Sequence, residues 1–143
     1  MAYTYEYPRP MVTVDILLIS KENKKRELLC IQRKHNPFAG KWALPGGFVD
    51  VNEDLIHAAE RELMEETNLN NIALYQFKTY GTPGRDPRGH TISVVYFAFI
   101  NKNDFQPQAA DDASDCKWFA EDNLPDFAFD HQTIVNDFFQ AQV

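Results

Sequence analysis

The sequence predicts an α/β protein in which a mixed β-sheet lies between helices. Three observations predict it. Apolar, β-branched runs bounded by polar turns occur on both sides of a single helical stretch. That stretch, residues 53–67, carries its apolar residues at helical spacing. A second amphipathic helix closes the chain. Strands before and after a helix, with another helix at the end, are satisfied by a sheet covered on both faces. At 143 residues the chain is expected to be one domain, 1–143, large enough to bury a core.

Taken in order, residues 1–10 (MAYTYEYPRP) hold two prolines and no periodicity, which predicts an extended N-terminal arm. Residues 11–19 (MVTVDILLI) read as a buried strand. Asp15 within it is a buried acid, with either a local hydrogen-bonding role or a functional one. Residues 21–26 (KENKKR) form a charged turn, and residues 27–33 (ELLCIQR) a second strand, so that the two make a hairpin. A loop (KHNPFAGK) leads to a short strand at 42–44 and then to Gly46-Gly47. The helix at 53–67 is capped by Asp50, with Glu53 three residues on, or by Asn52. Asn68 fits the left-handed position that ends it. Residues 72–80 and 91–100 (TISVVYFAFI) are strands pairing antiparallel across the loop GTPGRDPRGH. Residues 116–119 (CKWF) are a short strand. Asp130 caps a last helix whose buried face is Ile134, Val135, Phe138 and Phe139.

A net charge of −7 argues against generic binding to nucleic acid or to anionic membranes. No apolar run approaches a membrane span and no leader-like segment is present, so a soluble, cytoplasmic protein is expected. Cys30 and Cys116 lack metal-type spacing and read as free thiols in a reducing compartment. An anionic substrate would have to be attracted locally, by a metal or by clustered arginines.

The helix at 53–67 is where chemistry concentrates. Glu62, Glu65 and Glu66 stand at i, i+3 and i+4, on one face. Like charges so placed cost about 0.2–0.5 kcal/mol per pair. Leu55, Ile56, Ala59 and Leu63 form the apolar stripe, and Glu66 projects within about 20° of Leu55. A solvated acidic face is the plain alternative. A carboxylate directed inward is otherwise expensive unless paired or holding a metal. An all-oxygen donor set suits Mg²⁺, Mn²⁺ or Ca²⁺ rather than zinc.

Gly47, five residues, Glu53, seven residues, then Arg61-Glu62-Leu63-Met64-Glu65-Glu66-Thr67-Asn68-Leu69 resembles the Nudix box, with Asn68 where the pattern has glycine. The loop from Pro83 to His90 resembles that of the ADP-ribose pyrophosphatase branch. Residues 41–49, Asp111-Asp112-Ala113 and Ala128-Phe129-Asp130-His131 are similar to it over shorter runs. The likeness extends over about residues 8–135. It implies a Nudix-type α/β/α sandwich with a mixed sheet, and Mg²⁺-dependent hydrolysis (Mn²⁺ as the alternative metal) of ADP-ribose to AMP and ribose 5-phosphate. Glu62 and Glu66 would be metal ligands with the Gly46 carbonyl, and Glu65 a further ligand or a water holder. Arg61 would orient Glu65 by a salt bridge, and Glu53 would support the site. Glu65, Asp111 and Asp112 all stand as candidate general bases.

Arg85 and Arg88 are expected to clamp a diphosphate or a ribose phosphate through forked hydrogen bonds, with solvated turn charges as the plain alternative. Arg33 would reach a phosphate or pair with a box acid. Phe38 is a stacking candidate for the base, as is Trp42 unless it belongs to the core. His90 is a phosphate contact, an acid–base group or a hydrogen-bonding post. The resemblance also implies a homodimer. Two other readings compete: a Nudix hydrolase of another nucleoside diphosphate derivative or a triphosphate, and a non-catalytic ADP-ribose-sensing module. Such sensors carry a DNA-binding winged helix after the domain. About a dozen residues follow His131 here, and their composition is not basic.

Overall fold

The computed structural model describes residues 2–141. Strand β1 (Met11–Glu22) and strand β2 (Lys25–Arg33) form the expected hairpin. The charged turn shrinks to Asn23-Lys24, both at positive φ (52° and 67°), the two-residue geometry that matches strand twist. Five further strands complete one sheet: β3 (Trp42–Ala43), β4 (Gly46–Phe48), β5 (Tyr75–Tyr80), β6 (Thr91–Ile100) and β7 (Ala113–Ala120). Their order is β3-β2-β1-β6-β5, with β4 also on β1 and β7 also on β2. β1 and β6 run parallel from Met11 opposite Thr91 to Ser20 opposite Ile100, while the other pairs are antiparallel, so the sheet is mixed.

Alternation along β1 builds both cores, because successive side chains of a strand point to opposite faces. Val14, Ile16 and Leu18 pack with Ala58, Ala59 and Leu63 of helix α1 (Leu55–Thr67). Leu17 and Ile19 pack with Ile134, Val135 and Phe138 of helix α2 (His131–Ala141). This is the α/β/α sandwich, and Ile134, Val135, Phe138 and Phe139 are the buried face of α2 as expected. Trp42 sits edge-on to Phe119 in the α2-side core rather than in a binding loop. No helix among the described residues is long and apolar enough to cross a membrane.

Some boundaries differ from the sequence reading. Neither Asp50 nor Asn52 caps α1: Asp54 is its N-cap residue, and Asn52 is left-handed (φ 60°). The Glu53 side chain accepts the Asp50 N–H at 2.9 Å, closing a turn before the helix begins. Asn68 does take the left-handed position (φ 62°), its N–H donating to the Met64 carbonyl at 2.9 Å, so it serves where the box pattern has glycine. The strand after α1 starts at Tyr75, because Ile72 and Leu74 are drawn into the α1-side core. Asp130 directly precedes α2, but its carboxylate is committed to Arg85.

Candidate active site

A cleft of about 390 Å³ opens between the β1–β4 pair, the acidic face of α1, the loop carrying Arg85 and Arg88, and the turn into α2. The glycine pair explains its shape. β4 lies against β1 with Gly46 opposite Asp15 and Gly47 opposite Val14. A Cβ on Gly47 would stand 2.5 Å from the Glu62 carboxyl carbon. That contact is with the tip of a flexible side chain, so Gly47→Ala should keep the fold and displace Glu62. We expect a melting temperature close to the parent's and a loss of roughly a hundredfold in turnover, the scale of a 1 Å misplacement. Thermal melts and steady-state assays on the same preparation check both halves.

Glu66 is buried, and its Oε1 accepts the Gly46 N–H at 2.7 Å. Burial first, then repulsion from Glu62, pushes its pKa up to about 8 against the opposing pull of that hydrogen bond. Burial also raises the Glu62 carboxyl, with Arg61 pulling the other way. Arg61 is the hub of the acidic face. Its Nε donates to Glu53 Oε2 at 2.7 Å, and its Nη1 to Glu62 at 2.8 Å and to Glu65 at 3.2 Å. Glu65 is therefore a partner, as the spacing predicts, but Glu53 is the principal one. Arg61 holds the Glu53 carboxyl well below the usual carboxylate range.

Cationic groups face these acids. Arg33 donates through Nε to the Pro37 carbonyl at 2.8 Å, and burial followed by the Arg88 charge lowers its pKa. Arg88 holds buried Asp86 through Nε (3.1 Å) and Nη2 (2.8 Å), and lies over the Phe48 ring at 4.7 Å. Among the described residues, neither Arg33 Nη atom nor Arg88 Nη1 has a hydrogen-bond partner. Arg33 pairs with no box acid. Arg85 lines the cleft but is not a solvated loop charge: its side chain is 5% exposed and grips Asp130 with two bonds, at 2.9 and 2.7 Å.

Not every predicted residue reaches the cleft. Phe38 is partly exposed and sets its ring edge against Phe129 at 4.8 Å, outside the cleft lining. His90 faces the Gly81 carbonyl at 2.9 Å, also outside the lining, which is the hydrogen-bonding post. Of the three candidate bases, Glu65 and Asp112 line the cleft and Asp111 does not.

Comparison with known proteins decides the family. Residues 9–138 match the NUDIX domain. This chain belongs to the Nudix family. It is 43% identical over 132 residues (92% of the chain, 75% of the relative) to an ADP-ribose pyrophosphatase of Methanocaldococcus jannaschii. It is 38% identical over 138 residues to an ADPR-responsive transcriptional repressor of Acinetobacter baylyi, spanning 94% of this chain but 55% of that protein. Among solved structures, the NUDIX domain of Shewanella oneidensis NrtR complexed with ADP ribose superposes with a TM-score of 0.85 at 29% identity, covering 96% of this chain and 91% of that one. A bifunctional NMN adenylyltransferase/ADP ribose pyrophosphatase from Francisella tularensis, complexed with AMP and a Mn ion, gives 0.81 at 33%, covering 96% and 43%.

In this Nudix hydrolase, the donor chemistry fits a hard divalent cation. Glu62 and Glu66 are oxygen donors that burial, helped by repulsion from neighbouring carboxylates, pushes toward neutrality, and a cation held by them would relieve that cost. Among the described residues no three acidic, His or Cys side chains already form a cation cage, since Arg61 engages Glu62 and Glu65, and the Gly46 N–H engages Glu66.

The partners of Asp15 and the aromatic wall of the cleft escaped the sequence reading. Asp15 accepts from Ser93 Oγ, and its Oδ1 lies 3.6 Å from His131 Nε2. His131 is buried, its pKa is lowered chiefly by that burial, and its Nδ1 accepts the Leu44 N–H at 3.0 Å. The neutral ring therefore carries its proton on Nε2, facing Asp15. Phe129, in a left-handed turn (φ 54°), supplies an aromatic wall. The sequence marks Asp15 as a buried acid but not its partners, and the short run at 128–131 is its hint of Phe129 and His131.

Proposed function

We propose that this Nudix hydrolase cleaves the diphosphate of ADP-ribose, releasing AMP and ribose 5-phosphate, with Mg²⁺ as its metal and Mn²⁺ as a substitute. One observation carries the reading: the uncommitted guanidinium edges of Arg33 and Arg88 share a single cleft with the buried carboxylate of Glu66 and the half-buried one of Glu62. Guanidinium forks suit phosphate oxygens, and buried carboxylates suit the cation a diphosphate brings with it. The likeness to an ADP-ribose pyrophosphatase, and to a domain seen with ADP ribose, supports the choice of substrate.

In this reading Glu62 and Glu66 hold the cation, joined by the Gly46 carbonyl and by Glu65. A cation held there would supply charge neutralisation of the diphosphate and a lowered pKa for bound water. Arg33 and Arg88 hold the diphosphate oxygens, and Arg61 fixes Glu62 and Glu65 before substrate arrives. Glu65 and Asp112 are the acids positioned to take a proton. Asp15, fixed by Ser93 and facing the His131 Nε2–H, accepts hydrogen bonds at the cleft floor. The same reading has the protein acting as a homodimer in the cytoplasm on a small nucleotide, away from nucleic acid and membranes.

The second reading, a non-catalytic sensor of ADP-ribose, draws on the likeness to the repressor. The retained acids argue for turnover. A panel of ADP-ribose, NADH, ADP-glucose, diadenosine polyphosphates and nucleoside triphosphates with Mg²⁺, its products separated by chromatography, decides between them. We expect AMP from ADP-ribose to be the leading product. Cleavage of a triphosphate with ADP-ribose intact would leave a Nudix hydrolase with a different substrate.

A further inference from the structure

Phe129 has no role in the chemistry described above, yet the cationic wall is assembled on it. Its φ of 54° puts a bulky side chain in a region such residues rarely occupy, where glycine is the default. Conformations of this kind persist where the surroundings over-determine them, and they cluster at ligand sites. The Phe129 ring lies 4.9 Å from Arg33 Cζ and 5.4 Å from Arg88 Cζ, within cation–π reach of both. Phe38 braces it edge-on at 4.8 Å. The two guanidinium groups repel, an effect that the Asp86 carboxylate, bonded to Arg88, offsets in part. The electron-rich Phe129 ring faces both, and it leaves their free N–H edges available.

We propose that Phe129 is a positioning residue for an anion clamp: its ring fixes Arg33 and Arg88 so that their free N–H groups meet the two phosphates of a nucleoside diphosphate together. The inference rests on the reading that these arginines bind the substrate diphosphate. It requires the π face, not merely apolar bulk, so Leu and Tyr separate the two. It also requires Phe129 to act through the arginines, so its effect vanishes when they are gone.

The experiment compares the parent with Phe129→Leu, Phe129→Tyr, Arg33→Ala/Arg88→Ala, and the last combined with Phe129→Leu. ADP-ribose affinity is measured by calorimetry in chelator, and kcat and KM with Mg²⁺, after thermal melts establish that each variant is folded. Phe129→Met stands in should the Leu variant not fold. Phe129→Leu should raise Kd and KM by roughly three- to thirtyfold, the scale of cation–π contacts, with a smaller change in kcat. Phe129→Tyr should restore the parent values. In the double-arginine background Phe129→Leu should add almost nothing, because residues acting as a unit are non-additive. An unchanged Kd in Phe129→Leu, a Tyr variant as weak as Leu, or full additivity with the arginine changes would each overturn the inference. Parent-like affinity in Arg33→Ala/Arg88→Ala itself would instead remove the clamp, and with it the reading beneath.

Discussion

Glu66→Gln should lower ADP-ribose hydrolysis by several orders of magnitude and leave the metal-free protein at least as stable as its parent. The substitution keeps the shape of the side chain and its contact with the Gly46 N–H, but removes the charge and a metal ligand. Loss of metal-borne charge stabilisation accounts for the activity. The stability follows from linkage. Burial raises the folded Glu66 pKa from 4.5 to about 8, so between those values the folded state holds a proton that the unfolded state has released. Stability then falls as pH rises through that window. Glutamine has no such dependence. Its advantage over the parent should be small at pH 4, grow toward pH 8 and level off there, on the order of a few kcal/mol. Added Mg²⁺ should raise the parent's melting temperature and the variant's much less, since a ligand stabilises the state that binds it. Urea titrations at several pH values in chelator, with melts in Mg²⁺, test each part. A metal-free variant less stable than its parent at pH 8 would make Glu66 a structural acid.

The two arginines of the Gly81–His90 loop should part company. Arg85→Ala strands the Asp130 carboxylate at the start of α2, and removing one partner of a pair this enclosed costs on the order of 3 kcal/mol. Arg88→Ala should have the smaller stability cost of the two, on the order of 1–2 kcal/mol. It also removes a partner of a buried carboxylate, but the Arg88 side chain is partly in water and Asp86 keeps the backbone N–H of residue 88 at 2.9 Å. It should instead lower kcat/KM for ADP-ribose roughly ten- to hundredfold, the loss of one charge-assisted contact. Denaturant unfolding beside steady-state kinetics separates the two. A negligible stability loss in Arg85→Ala would mean that the Arg85–Asp130 pair anchors nothing, and full activity in Arg88→Ala would make Arg88 structural.

How much of this was legible depended on the range of the interaction. β1, β6 and both helices could be read because apolar periodicity is local and strong, and the placement of Glu66 follows from turning α1 by 100° per residue. The glycine pair could be seen, but not its reason: β4 exists because Gly46 and Gly47 let the chain press against Asp15 and Glu62, which the sequence places far away. The cap of α1 differs because the Glu53 carboxylate does accept the Asp50 N–H, but that bond closes a turn, and the helix begins only after Asp54. Arg85 and Asp130 lie 45 residues apart, and no periodicity links them. Phe129 and His131 took part only in a short likeness, since a turn that aims side chains by positive φ leaves no pattern in composition.

The most direct measurement follows AMP release from ADP-ribose by chelator-treated protein as Mg²⁺ is added back. No AMP should form in chelator. A saturable rise with Mg²⁺ should give AMP and ribose 5-phosphate in equal amounts, and Glu66→Gln should stay flat throughout. ADP-ribose bound tightly but intact at every Mg²⁺ concentration would contradict hydrolysis at this cleft and leave a sensor in its place.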